Sequence, residues 1–319
     1  MIKKIEQILT IPNELGGLRL DQALTKLLTE HSRTEIQRWI KMKEITVDGR
    51  EPTAREQVLG GEKIVISATP KVMPNFSAQP IDLNIVYEDD ALLIINKPIG
   101  MIVHPSQSAK ENTLLNALLF HHPALEALPR AGIIHRLDKD TSGLLMVAKT
   151  AFSLKSLSQQ LKNRTVSRIY QAIVSGTLAS GGTIDEPMAR HPIQRKKMAV
   201  IETGKTAITH YRVIEKYRDF TRVKVQLETG RTHQIRVHFA HIKHPLLGDQ
   251  TYGGRLQLPK GASKEMVEML RSFKHQALHA IELGFIHPVT KKPMLFEAPL
   301  PSDMRELIAV LKKDVLDFL

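Results

Sequence analysis

Two hydrophobic periods run along this chain, and the place where one gives way to the other divides it. Near the start, Leu20, Leu24, Leu27 and Leu28 recur at helical spacing behind Gly16-Gly17 and predict a first helix. Ser32 stands three residues before Glu35, a capping pair that opens a second helix with the apolar stripe Ile36, Trp39 and Ile40. Arg33, Arg38, Lys41 and Lys43 lie largely off that stripe, so the helix offers a basic face. Ile45 and Val47 alternate into an Asp48-Gly49 turn, and Gly60-Gly61 leads into a strand over Lys63–Ser67. These pieces predict a compact α+β module over about residues 16–68. Thr69–Gln79 carries prolines, has no period and reads as a linker, which divides the chain into 1–75 and 76–319.

Beyond the linker the strand period dominates. IDLNIVYEDDALLIINKP predicts two strands around the acidic turn Glu88-Asp89-Asp90, and Asn112–His122 a short helix. The apolar pieces Ala131–Ile134 and TSGLLMVAKT read as buried strands either side of a polar loop, and Ala151–Lys162 as a helix carrying Leu154, Leu157 and Leu161. SRIYQAIVSG, ITHYRVIEKY and TRVKVQLETG are further strands, and Asp303–Leu319 closes the chain as a helix. Strands outnumber helices without alternating regularly with them. The expected class is therefore α+β with a largely antiparallel sheet.

Composition narrows the chemistry. The 319 residues contain no cysteine, which excludes disulfides, thiolate metal sites and a cysteine nucleophile. The N-terminal MIKKIEQILTIPNELG has no apolar signal core, and no run of about 18 apolar residues occurs, so a soluble cytoplasmic protein with no membrane partner is expected. A net charge of +12 suggests a polyanionic partner. Residues 1–75 carry 12 basic and 10 acidic side chains, whereas residues 130–168 carry 8 basic and 2 acidic. Half of the excess thus surrounds one short motif.

That motif is His135-Arg136-Leu137-Asp138-Lys139-Asp140-Thr141-Ser142-Gly143. Charges set between apolar segments are costly unless paired. They make either a structural salt-bridge turn or a loop presenting a carboxylate, with Arg136 and Lys139 holding it ionised. Asp138 and Asp140 also raise a glycosidase-type acid/base pair, a reading weakened because a turn fixes no separation between them. In Thr229–His241 followed by His244, the spacing of His238, His241 and His244 raises a metal site. No acidic residue lies among them, and Arg231, Arg236 and Lys243 would repel a cation, so no metal is expected; an anion site fits better. Arg190, Arg195, Lys196 and Lys197 form a basic loop suited to phosphates. Tyr170 is a lone aromatic in its strand, the pattern of a core residue.

HRLDKDTSGLLMVAKT, SRIYQAIVSG and LETGRTHQIRVHFAHIKHPLLGDQTYG stand in the order of three motifs of the bacterial pseudouridine synthases that modify large-subunit ribosomal RNA, and the chain resembles that family. YEDDALLIINKPIGMIVHP is similar to the first motif of the group. The N-terminal module resembles the small RNA-binding domain named after the fourth protein of the small ribosomal subunit. The resemblance implies the pseudouridine-synthase fold, with a curved, largely antiparallel mixed sheet crossed by the active cleft. It makes Asp138 the catalytic carboxylate, Tyr170 the stacking partner of the target base, Arg236 the ion-pair partner of Asp138, and Arg136 a support for the flipped RNA. Arg33, Arg38, Lys41, Arg190, Arg195, Lys196, Lys197 and Arg231 become RNA contacts, with Asp140 structural or RNA-contacting. It also implies a monomer acting without cofactor or metal on large-subunit rRNA or the assembling subunit, at several uridines of the helix 69 hairpin. No dinucleotide or P-loop fingerprint opposes a cofactor-free reaction. A non-catalytic RNA-binding assembly factor is the competing reading.

Overall fold

The computed structural model describes residues 4–69, 76–105 and 109–318. The chain forms two compact units, Met1–Asn75 and Phe76–Leu319. Residues 70–75, the body of the expected linker, lie outside the described residues, as does Leu319 of the last helix.

In the first unit, strand β1 (Ile5–Thr10), helices α1 (Leu20–Leu27) and α2 (Arg33–Lys41), and strands β2 (Ile45–Val47) and β3 (Lys63–Ala68) build an antiparallel sheet in the order β1-β3-β2. The Ser32 side chain accepts the Glu35 backbone N–H at 3.2 Å and caps α2. Leu20, Leu24, Ile36, Trp39 and Ile40 are buried against Ile45, Ile64 and Ile66 of the sheet. The sequence pattern misses β1 because it is an edge strand with no fully buried residue, so it carries no alternation. Asp21 is wholly buried and accepts hydrogen bonds from Arg19, Arg33 and Gln37. Arg38 donates to the Thr69 carbonyl at 2.6 Å. Two basic side chains of the α2 face are therefore tied down within the unit, while Lys41 is exposed.

The second unit contains β4 (Ile85–Glu88), β5 (Leu92–Lys97), α3 (Leu114–His121), β6 (Ser142–Ala148), α4 (Ala151–Lys162) and β7 (Ser167–Ser175). There follow β8 (Gly182–Asp185), β9 (Met188–Arg190), β10 (Met198–Val200), β11 (Ile208–Lys216), β12 (Phe220–Leu227) and α5 (Gln234–His241). The chain ends with α6 (Lys264–Ser272), β13 (Leu278–Ile286), β14 (Pro293–Glu297) and α7 (Ser302–Phe318). Nine strands form one sheet in the order β4-β5-β6-β13-β7-β12-β11-β8, with β14 added on β13; every pairing is antiparallel except β13 with β6. Strands β9 and β10 form a separate hairpin.

Strand alternation divides the residues of β5 and β6 between two cores. Leu93, Ile95, Leu145 and Val147 join α3 and α5, whereas Leu92, Ile94, Leu144 and Met146 join α4. All seven residues of β6 are buried. One sequence expectation changes, and β8, β9, β10, α6, β13 and β14 are elements for which the sequence pattern gives no expectation. Ala131–Ile134 is not a strand: Arg130 (φ 56°), Ala131 (φ 51°) and Gly132 (φ 74°) are consecutively left-handed, and only Ile133 makes a single bridge, to Val147. Strand β13 has no signature in the hydrophobic pattern. A register shift between Ala280 and Glu282 breaks its period, and His279 and Glu282 interrupt its apolar run.

Gly143 sits where β13 meets β6. Its φ is +111°, and a Cβ there would stand 2.3 Å from the Ala280 carbonyl oxygen. Gly143→Ala should therefore destabilise the protein by about 3 kcal/mol, read as a lowered midpoint in urea unfolding.

Candidate active site

Short connections around the start of β6 fix the loop that carries Asp138. The Lys97 side chain is fully buried at the end of β5 and donates to the carbonyls of Pro98 (2.8 Å), Met101 (3.0 Å) and Lys139 (3.0 Å). Burial lowers its pKa to about 8, opposed by the nearby Asp140 and Asp138. His135 accepts the Met146 backbone N–H on Nε2 at 3.1 Å, and burial pushes its pKa down to about 3. It is a neutral pin for the loop. Thr141 accepts from Gln276 at 2.9 Å.

The carboxylate so positioned meets a guanidinium from 98 positions further along the chain. Arg236, on α5 and itself buried, donates from Nη1 to Asp138 Oδ2 at 3.0 Å. Its other edge donates from Nε and Nη2 to the two oxygens of Asp249 at 2.7 and 2.8 Å. Asp249 also accepts the backbone N–H groups of Thr251 (2.8 Å) and Tyr252 (3.0 Å). Burial alone would lower the Arg236 pKa, but hydrogen bonding to Asp249 and the charges of Asp249 and Asp138 raise it above the usual arginine value. Burial likewise opposes ionisation of Asp249, and Arg236 overcomes it, holding the carboxyl below its usual value. Neither Arg136 nor Lys139 makes an ion pair among the described residues, so the partner of Asp138 comes from the second motif and not from its own loop.

These groups open on a cleft of about 530 Å³ lined by Arg136, Asp138, Arg168, Tyr170, Arg231 and Arg236, among others. Tyr170 projects from β7 with 6% of its surface exposed, and burial raises its hydroxyl pKa. Arg231, exposed, donates from Nε to the Thr206 carbonyl at 3.1 Å. Arg190 braces the β9–β10 hairpin by donating to the Arg195 carbonyl at 2.7 Å, while Arg195 and Lys196 are exposed and Lys197 half-buried. His238 and His244 turn apart to separate backbone carbonyls, of Glu186 and Ser175, and no cluster able to hold a metal is present among the described residues. Arg168, His233 and Asp249 join the site without a sequence signal of their own. Asp249 lies inside the quoted GDQTYG stretch, but its pairing across 13 residues follows no period.

Residues 91–241 match the family described as RNA pseudouridylate synthase. The chain is 50% identical to "Ribosomal large subunit pseudouridine synthase D" of Pseudomonas aeruginosa, over 98% of both chains. It is 52% identical to the protein of the same name from Haemophilus influenzae (95% of this chain, 94% of the other). For the one from Escherichia coli K12 the figure is 47% (98% and 97%). Among solved structures, "Human RNA Pseudouridylate Synthase Domain Containing 1" superposes with a TM-score of 0.56 at 26% identity, covering 73% of this chain and 89% of that one.

The clamp has a measurable acid signature. Because the Asp249 pKa is depressed on folding, its contribution to stability is present above the unfolded value of about 3.8 and is lost as pH falls through the lower folded value. Asp249→Ala, which leaves Arg236 with one carboxylate, should destabilise by about 3–5 kcal/mol at neutral pH and flatten the acid limb of stability against pH.

Proposed function

Since the chain belongs to the RNA pseudouridylate synthase family and is a pseudouridine synthase, we propose that it isomerises uridines of large-subunit rRNA, several of them in the helix 69 hairpin, with Asp138 as the reacting carboxylate. The single observation that supports this most is the Asp138–Arg236–Asp249 chain at the edge of a basic cleft. A glycosidase has no need of so cationic a cleft. A non-catalytic assembly factor has no need of a carboxylate held by a buried guanidinium; the enzyme reading displaces it.

The reaction breaks the N1–C1′ bond of uridine and joins C1′ to C5; the C5 proton departs, N1 gains a proton, and nothing is added. No cofactor or metal enters the proposal. Asp138 can do this work because Arg236 holds Oδ2 while Oδ1 has no hydrogen bond among the described residues. An anion so placed can act as nucleophile or base. A paired uridine must first be flipped out to reach it. Tyr170 then offers a ring for the extruded base, with Arg136 and Arg231, which line the same cleft, against the RNA backbone. Arg190, Arg195, Lys196 and Lys197 carry the phosphate contacts of the hairpin loop. Arg168 adds a further cation to the cleft.

The first unit, read as a small-subunit-protein type of RNA-binding domain, adds affinity through Lys41 and its neighbours. Arg33 and Arg38 combine any RNA contact with the internal bonds already described. The protein is proposed to act as a monomer in the cytoplasm, on free rRNA or the assembling subunit. No helix among the described residues is long and apolar enough to cross a membrane.

Asp138→Asn should abolish pseudouridine formation on a helix 69 hairpin while leaving RNA affinity within about threefold, since phosphate contacts dominate binding. Measurable turnover by that variant would remove Asp138 from the chemistry. Deleting residues 1–75 should weaken RNA binding yet leave activity at high enzyme concentration, checked by titrating the truncated protein in the same assay.

A further inference from the structure

His233 is the N-cap of α5 and adopts a left-handed backbone (φ 56°, ψ 22°), which a non-glycine residue holds only at a cost. That turn places its ring between two groups. Nε2 lies 3.8 Å from Asp138 Oδ1, the oxygen that Arg236 does not hold. Nδ1 lies 2.8 Å from the Tyr252 hydroxyl. The same hydroxyl accepts the Met198 backbone N–H at 2.9 Å, and among the described residues Nδ1 is the one acceptor recorded for its proton. Tyr252 therefore donates to Nδ1, and a neutral imidazole keeps its own proton on Nε2, facing Asp138. Arg236 lies 5.1 Å from the centre of the Tyr252 ring, so the tyrosine is held by both residues that border the carboxylate.

We infer that His233 is a positioning residue for Asp138: in the Nε2–H tautomer set by Tyr252, it orients Oδ1 for the reaction while Arg236 holds Oδ2. This rests on the reading of Asp138 as the reacting group. The 3.8 Å separation is longer than a hydrogen bond, and contacts of this kind tighten when substrate fills a site. The charged groups facing the ring are Asp138, Arg236, Asp249 and Arg136; burial dominates them and holds the imidazole below its usual pKa, with Asp138 opposing. The ring is thus neutral near pH 7, where the choice of tautomer matters.

The test uses the full chain. Long-range nitrogen NMR of the histidine rings, with His233 assigned by its loss in His233→Gln, should show the Nε2–H form in the wild type and a mixture in Tyr252→Phe. Single-turnover rates on one RNA hairpin should fall on the order of tenfold in Tyr252→Phe at neutral pH, with the half-saturating enzyme concentration unchanged. That deficit should shrink as pH falls through the imidazole range, because imidazolium carries an Nε2 proton whatever its former tautomer. His233→Gln, which keeps a donor at that reach, should stay well above His233→Leu. An Nδ1–H form in the wild type, an unchanged Tyr252→Phe rate, or a deficit of equal size at every pH would each overturn the inference. The tautomer is read without any reaction, so failure of Asp138 as the reacting group and failure of His233 as its support give different results.

Discussion

One guanidinium shared between two carboxylates sets the terms for the rest of the catalytic unit. Arg236 is buried, and a buried cation is tolerable only where its charge and its donors are met. Asp249 meets them with both oxygens and is itself fixed by the backbone of the turn that follows it. The remaining Nη1 is then available, in a set direction, for Asp138. Two carboxylates for one arginine leave the site with a surplus negative charge, and the cations of the cleft offset it. The basic cleft thus serves the internal balance of the site as well as attraction of a polyanion.

What the sequence made legible follows from how local each signal is. The α2 cap at Ser32, the α4 span and the buried β6 run can each be read within a dozen residues, because capping and periodicity act over one or two turns. Tyr170 is the core residue that its strand pattern marks, and the fold adds what the pattern does not show, that the same ring also lines the cleft. The Arg130–Gly132 stretch looks like a strand from its apolar neighbours, but no hydrophobic pattern encodes three left-handed residues in succession. Strand β13 fails for the opposite reason, being a true strand whose bulge destroys the period.

In the candidate site, the Asp138–Arg236 pair is legible in the sequence only through motif resemblance. No spacing rule connects Asp138 with Arg236, 98 positions on, and adjacency in sequence points instead to Arg136 and Lys139. Asp249 and His233 carry no local signal for the same reason. Their contacts are created by the α5 turn and the loop after it.

The position of β13 carries a consequence for the life of the chain. It lies between β6 and β7 in the middle of the sheet, yet it follows β7 by more than 100 positions in the chain. Until β13 is made, β6 has β5 to pair with and β7 has β12, but no strand joins the two, and the segments that bear Ser142 and Tyr170 are not fixed against each other. Closing such a sheet requires contacts between residues more than 100 positions apart, which is slow. The cleft is therefore completed only after β13 has been synthesised, and a chain that stops before Leu278 lacks the strand that joins β6 to β7.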